Sequence, residues 1–148
     1  MGADLQPVIA FLEGVHPYDT LTRDELVRVA GFFSRRVLAK GEAVYRLNDP
    51  LEGLYLVKSG GVEITDENGA LVSILGPRNS FGERGLMREG LALTNAVTAE
   101  DSVLLELPAN EFLRLLETAP SFKRFFDRSR RVEPRKNDIA AMKVSDLL

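Results

Sequence analysis

From residue 32 to residue 107 the chain repeats one pattern, in which short runs of alternating apolar and polar residues end in turns rich in glycine and asparagine. A period of two places successive side chains on opposite faces of a strand. About eight such runs follow one another at roughly ten-residue spacing, which favours a closed or sandwiched antiparallel sheet over alternating strands and helices. The clearest hairpin turn is Asn68-Gly69, because this pair favours the two positive φ angles of a tight turn.

Helical periodicity appears on both sides of this β region. Thr22 and Glu25 have the spacing of a capping box, which satisfies backbone donors at a helix start. Pro108 stands where a helix start tolerates proline. The last helical segment carries Phe122, Phe125 and Phe126 on one stripe. We therefore predict helices at 5–13, 22–30, 108–118 and 120–132 around a β-roll at 32–107.

This arrangement predicts one mainly β domain over residues 1–132, followed by a linker or tail at 133–148. A chain of 148 residues with 45% hydrophobic and 28% charged residues fits a single globular domain. No apolar run approaches the ~20 residues that span a bilayer, and no basic segment precedes an apolar stretch at the N-terminus. Because cysteine is also absent, we expect a cytoplasmic protein without disulfides.

The residue types that carry most catalytic chemistry are scarce. His16 is the single histidine, and the absence of cysteine excludes thiolate metal sites. His16 precedes Pro17, so we expect it in a turn between two helices. The sequence contains neither a Ser/His/Asp arrangement nor a Gly-x-x-x-x-Gly-Lys loop. We therefore expect no enzymatic activity, no cofactor and no metal site.

Charge is distributed unevenly. The net charge of −3 gives no general affinity for nucleic acid. A basic run nevertheless crosses the last predicted helix, and it is either a solvated face or a patch for an acidic partner. Its members are Lys123, Arg124, Arg128, Arg130, Arg131, Arg135 and Lys136.

A different kind of segment interrupts the strands at Phe81-Gly82-Glu83-Arg84-Gly85-Leu86-Met87. It lies between the runs Leu71–Leu75 and Leu91–Ala99, which both read as strands. A turn of small residues lets backbone N–H groups converge on an anion, while a carboxylate beside them accepts hydrogen bonds from hydroxyls. This combination suits a sugar phosphate.

The segment resembles the phosphate-binding cassette of the cyclic-nucleotide-binding domain family, in which the pattern is Phe-Gly-Glu-x-Ala-Leu and later Pro-Arg-x-Ala-Thr-Val. Gly41–Tyr45 and Leu54–Gly60 also resemble the family's glycine-bearing strands, and Asn48 replaces a glycine at a turn. The resemblance covers about residues 7 to 130. It implies the family's antiparallel double-stranded β-helix, also called a β-roll or jelly roll.

The resemblance also implies a ligand site. Glu83 would accept a hydrogen bond from a ribose 2′-hydroxyl, and backbone N–H groups at 84–86 would face the phosphate. Leu93 occupies the position of the family's phosphate-binding arginine, so Arg84 and Arg88 either reach the phosphate from the opposite wall or face solvent. The candidate ligand-binding residues are Gly82, Glu83, Arg84, Gly85, Leu86, Arg88, Leu93, Thr94 and Asn95.

We therefore predict a regulatory module that binds a cyclic nucleotide or another adenine nucleotide weakly. One alternative is a ligand-independent scaffold for interaction or homodimer formation, which uses the phenylalanine stripe. A weaker alternative is the sensor domain of a transcription factor of the catabolite-activator type, although nothing after Arg131 is long enough to form a DNA-binding element in this chain.

The last residues suggest a further domain. Val144-Ser145-Asp146-Leu147-Leu148 resembles the opening of many CBS domains. This resemblance implies the N-terminal part of a bacterial signalling protein that joins a cyclic-nucleotide-binding domain to a CBS pair and a nucleotidyltransferase-like region. The alternative is an ordinary frayed C-terminus.

Overall fold

The computed structural model describes residues 4–128. Helices at both ends enclose a set of short strands, as predicted. The helices are α1 (Gln6–Leu12), α2 (Arg23–Ala30), α3 (Glu83–Leu86), α4 (Ala109–Thr118) and α5 (residues 120–128), with a 3₁₀ turn at Tyr18–Thr20. The strands are β1 (Ser34–Leu38), β2 (Ala43–Tyr45), β3 (Gly53–Ser59), β4 (Val62–Thr65), β5 (Leu71–Leu75), β6 (Ser80–Phe81), β7 (Asn95–Thr98) and β8 (Ser102–Pro108).

The strands form two antiparallel four-stranded sheets, in the orders β1-β8-β3-β6 and β2-β7-β4-β5. Pairing between β3 and β8 aligns Leu54 with Leu107 and Leu56 with Leu105, so apolar residues face one another across the ladder. Buried side chains of both sheets and of the helices belong to one hydrophobic core. The predicted mainly β fold with flanking helices is therefore confirmed.

Several predictions lie outside the described residues. They are the last residues of the predicted helix 120–132, the basic residues beyond Arg128, the linker at 133–148 and the CBS-like end. Within residues 4–128, no helix is both long enough and apolar enough to cross a bilayer.

The predicted strand over Leu91–Ala99 is too long at its start. Regular pairing begins only at Asn95, and Leu91 forms an isolated bridge with Pro50. Gly90 has a φ of 83° and reverses the chain. Its carbonyl accepts a hydrogen bond from Leu51 N, and its N–H donates to the carbonyl of Gly85. The residues before β7 therefore form a loop that is tied to α3.

The hairpin between β4 and β5 is present, but its turn differs from the predicted one. Only Gly69 of the Asn68-Gly69 pair has a positive φ, at 81°. Asp66 Oδ1 accepts hydrogen bonds from the backbone N–H groups of Asn68 and Ala70, both at 2.9 Å. The Asp66 side chain therefore holds a wider turn than two residues with positive φ would form.

Helices α2 and α4 pack together through polar and partly buried ionic contacts. Thr22 Oγ1 caps α2 by accepting from Glu25 N at 3.2 Å, as the capping box predicts, whereas the Glu25 carboxylate lies 3.4 Å from Thr118 Oγ1 in α4. Arg28 of α2 donates to Glu111 of α4 at 2.8 Å. These contacts fix α2 against α4, the helix that leads into α5.

Candidate functional site

The backbone at Gly82 connects a strand directly to a short helix. Gly82 has a φ of 96°, in the left-handed region, and stands between β6 and α3. A side chain there would be strained, because residues with a Cβ rarely adopt this conformation. The turn places Glu83 at the first position of α3 and Arg84 immediately after it. The glycine therefore permits the change from strand to helix directly before these two charged residues.

A cavity of about 220 Å³ opens beside this turn. One wall comes from the turn and α3, another from β4 and β5, and a third from the loop that precedes β7. Its lining residues are Tyr45, Leu51, Ile64, Val72, Ser73, Leu75, Ser80, Phe81, Gly82, Glu83, Arg84, Gly85, Leu93 and Thr94. The predicted residues Gly82, Glu83, Arg84, Gly85, Leu93 and Thr94 thus lie at one cavity.

The other three predicted residues do not line this cavity. Leu86 is 7% exposed, and its N–H donates to the carbonyl of Gly82 within the helical turn. Arg88 is exposed to solvent. Asn95 Oδ1 accepts from Leu47 N at 2.9 Å, so this side chain tethers the turn after β2 to β7. Because their backbone or side-chain groups serve the fold or face solvent, these residues are not brought to the candidate site.

Gly85 has a packing role that the sequence pattern does not reveal. A Cβ at this position would lie 2.6 Å from Leu51 Cδ1 and closer still to the carbonyl oxygen of Leu91. The family pattern has alanine here, but the loop of this chain lies too close to α3 for a methyl group. The missing side chain therefore allows the loop that carries Leu93 to approach α3.

The cavity contains one acid and one base among its lining residues. Glu83 Oε1 and Arg84 Nε are both buried from solvent. Burial raises the pKa of Tyr45 well above its usual range, the nearby Thr94 hydroxyl lowers it, and the Glu83 carboxylate raises it again. Tyr45 is therefore a neutral phenol at physiological pH, and the side chains of the lining that belong to the charged residue types are those of Glu83 and Arg84.

Aromatic residues support the wall of the cavity. The rings of Tyr55 and Phe81 stack with centroids 5.4 Å apart, and Tyr45 packs on both at about 6 Å. Arg36 lies over the Tyr55 ring, with its guanidinium carbon 5.6 Å from the ring centroid. The cavity is therefore backed by an aromatic cluster that joins residues of β2, β3 and β6.

Sequence reasoning missed the contribution of β4 and β5. Val72, Ser73 and Leu75 line the cavity although nothing in their local pattern separates them from other strand residues. Tyr45 could have been found, because it ends the motif Gly41–Tyr45 that carries the family resemblance. Within residues 4–128, no cluster of histidine, aspartate and glutamate side chains is suited to hold a metal ion.

Known proteins have sequences similar to that of this chain. The cyclic AMP receptor protein of Thermus thermophilus is 32% identical over 113 residues, which cover 74% of this chain and 52% of that protein. A cAMP-dependent protein kinase regulatory subunit of Eremothecium gossypii is 30% identical over 107 residues, covering 72% of this chain and 23% of that protein. This chain therefore spans about half, or less, of the length of these relatives.

Structural comparison agrees. The crystal structure of the Thermus thermophilus catabolite activator protein superposes with a TM-score of 0.71 at 28% identity, over 91% of this chain and 63% of that one. A family model described as the cyclic nucleotide-binding domain matches residues 35–119, which include the cavity and all strand residues except Ser34. The chain thus belongs to the cyclic nucleotide-binding domain family, whose members include regulatory and sensor domains.

Proposed function

We propose that this chain is a regulatory sensor module that binds a nucleotide-type ligand in the cavity beside α3, with a weakened hold on phosphate. The module comprises residues 1–132, and residues 133–148 link it to a C-terminal partner domain. The observation that carries the proposal is the position of Leu93, which lines the same cavity as Glu83 and Arg84.

The side chain of Leu93 explains why phosphate would be held weakly. A guanidinium binds a phosphate through two charge-assisted hydrogen bonds, and leucine has neither charge nor donor. Thr94 offers only a neutral hydroxyl, whose hydrogen bonds are about half as strong as charge-assisted ones. We estimate that the absence of a paired arginine costs about 2 to 5 kcal/mol of binding free energy.

Transmission of the signal requires a ligand that binds one arrangement of the helices better than another. Phe122 and Phe126 of α5 are buried, and Tyr18 and Phe112 contact them. Because these rings contact one another, we expect the contacts to form and break together. A helix that switches between two positions requires such a cooperative contact. In this proposal, occupancy of the cavity shifts the balance between these two arrangements of α5.

The test is calorimetric titration of the full chain with cyclic AMP and cyclic GMP, joined to hydrogen exchange on the same samples. We expect dissociation constants weaker than about 1 μM, which corresponds to about −8 kcal/mol. A tighter constant for cyclic AMP contradicts the weakened phosphate hold. Ligand binding that leaves the exchange of residues 120–128 unchanged contradicts the regulatory role.

A second candidate is the sensor domain of a transcription regulator of the catabolite-activator type. The 32% identity to the Thermus cyclic AMP receptor protein favours it, since that relative extends well beyond the matched region. The two candidates require different domains after residue 148. A helix-turn-helix encoded there supports the transcription regulator, and a CBS pair supports the signalling protein whose opening Val144–Leu148 resembles.

The remaining alternative is a scaffold that needs no ligand. In that case the cavity stays empty in the presence of every nucleotide tested, and the chain forms a homodimer through its helices. Sedimentation of the full chain with and without nucleotide distinguishes this scaffold from a sensor.

A further inference from the structure

The cavity beside α3 has a balanced charge. Its lining includes one carboxylate, Glu83, and one guanidinium, Arg84, while Tyr45 stays neutral. The remaining lining residues are aliphatic, aromatic or hydroxyl-bearing. A negatively charged ligand therefore gives the occupied cavity a net charge of about −1 or a more negative value. An uncharged ligand leaves the cavity neutral. Because an uncompensated charge is costly to bury, the lining favours an uncharged ligand.

The walls of the cavity also differ in polarity. Glu83 and Thr94 present groups that bond to hydroxyls, and an ionised carboxylate is a pure acceptor. Ile64, Val72 and Leu75 on β4 and β5 present aliphatic surface. Such a site suits a molecule with vicinal hydroxyls at one end and a flat, weakly polar ring at the other.

From these two features we infer that the cavity binds an uncharged nucleoside in preference to a nucleotide. The ribose hydroxyls bind to Glu83, the base lies against the aliphatic wall of β4 and β5, and Leu93 covers the side where a phosphate would otherwise be held. The inference rests on the proposed function, because it names the ligand class of the same site.

The experiment is calorimetric titration of the full chain with adenosine, uridine, 2′-deoxyadenosine, cyclic AMP and 5′-AMP in one buffer. We expect a nucleoside, adenosine or uridine, to bind at least about tenfold more tightly than either nucleotide, because the nucleotide charge is uncompensated. We expect 2′-deoxyadenosine to bind at least about tenfold more weakly than adenosine, since it lacks a donor for Glu83. Nucleoside affinity should not change with salt concentration, because an uncharged ligand is not screened.

Leu93→Arg supplies the matched variant. It adds one positive charge, so cyclic AMP should bind more tightly and the nucleoside should change by less than about threefold. If Leu93→Arg does not fold, the comparison of the five ligands on the wild-type protein still tests the inference.

The outcomes separate the inference from the proposed function. Wild-type protein that binds cyclic AMP more tightly than both nucleosides overturns the inference and leaves a nucleotide-binding sensor in place. Equal affinity for adenosine and 2′-deoxyadenosine overturns the assignment of the ribose to Glu83, and with it the inference. Wild-type protein that binds none of the five compounds overturns both the inference and the sensor, and leaves the scaffold.

Discussion

Tyr18 and Phe122 meet edge to face, with ring centroids 5.2 Å apart and planes inclined by 73°. Both side chains are 0% exposed. Tyr18 belongs to the 3₁₀ turn between α1 and α2, and Phe122 belongs to α5. The contact therefore holds the two ends of the described chain together, and it places an aromatic ring of the N-terminal segment against the helix proposed to move.

Replacement of Phe122 by alanine should destabilise the protein by about 3 to 5 kcal/mol, because it leaves a large cavity between Tyr18 and Phe112. The measurement is the free energy of unfolding in urea. Phe125→Ala is the matched control on the same helix. Because Phe125 is only partly buried, its replacement should lower the free energy of unfolding clearly less. Equal losses for the two variants would show that α5 is packed differently from the structure.

The hydroxyl of Tyr18 is buried and has no hydrogen-bond partner among residues 4–128. Tyr18→Phe should therefore change the free energy of unfolding at neutral pH by less than about 1 kcal/mol, or increase it. Tyr55→Phe is the control, because the Tyr55 hydroxyl accepts a hydrogen bond from Arg36 at 3.3 Å. A loss of several kcal/mol in Tyr18→Phe would mean that this hydroxyl does have a partner.

Stability should also fall at high pH. Burial raises the pKa of Tyr18 far above its usual value, and the Glu83 charge raises it further. The unfolded chain then loses this proton near about pH 10, whereas the folded chain keeps it. The contribution of Tyr18 to the free energy of unfolding is therefore complete below about pH 10. Above that pH it declines by about 1.4 kcal/mol per pH unit.

Urea unfolding between about pH 9 and about pH 12 tests this dependence. In Tyr18→Phe the slope of the free energy of unfolding against pH should fall by the equivalent of about one proton. The part of the slope that is due to Tyr45 remains, because burial raises the pKa of Tyr45 as well. An unchanged slope in Tyr18→Phe would show that this phenol ionises in the folded protein as readily as in the unfolded chain.

Gly85→Ala should destabilise the protein by about 1 to 3 kcal/mol, although alanine is the better helix former. The new methyl group would overlap Leu51 and the carbonyl of Leu91. Gly76→Ala is the matched control, because a Cβ at Gly76 meets nothing within 4 Å. Thermal unfolding of the two variants gives the comparison, and a Gly85→Ala variant as stable as the wild type would show that the loop before β7 moves away without cost.

Leu93→Arg should strengthen binding of cyclic AMP by about thirtyfold to several thousandfold, because it adds a guanidinium at the wall of the cavity. Leu93→Gln, which adds a polar amide without the charge, should give a much smaller gain. Calorimetry of the three proteins measures the effect. Similar affinities for all three would mean that residue 93 does not face the bound phosphate.

Amide hydrogens of residues 120–128 should exchange faster than those of Leu54–Ile64, which lie in β3 and β4 inside the sheets. A helix packed at the edge of a fold opens locally at a lower free energy than a central strand. Exchange in α5 should also change when a ligand that demonstrably binds is added. Amides of α5 that are as slow as those of β3 and insensitive to ligand would identify a fixed structural helix and remove the proposed switch.

The turns of the fold are readable from the sequence. Gly41, Asn48 and Gly82 all have positive φ angles, and each is expected at a turn because few other residues tolerate that conformation. The periodicities of two and 3.6 locate the strands and helices because they reflect one buried face for each element. These signals are local, so the order of residues along the chain contains them.

The set of residues that line the cavity cannot be predicted from local sequence patterns. Glu83 and Leu93 are identified by resemblance, but Val72, Ser73 and Leu75 join them only because β5 pairs with β4 and β4 with β7. Such pairing depends on the burial of whole sheet faces rather than on any short motif.

Tertiary packing also decided which candidates were excluded from the site. Arg88 and Asn95 stand in the right segment of the chain, yet Arg88 faces solvent and Asn95 ties β7 to the turn after β2. The sequence determined where the chain turns and which residues are apolar. The tertiary structure decided which side chains share the cavity, because that depends on contacts between segments that are distant along the chain.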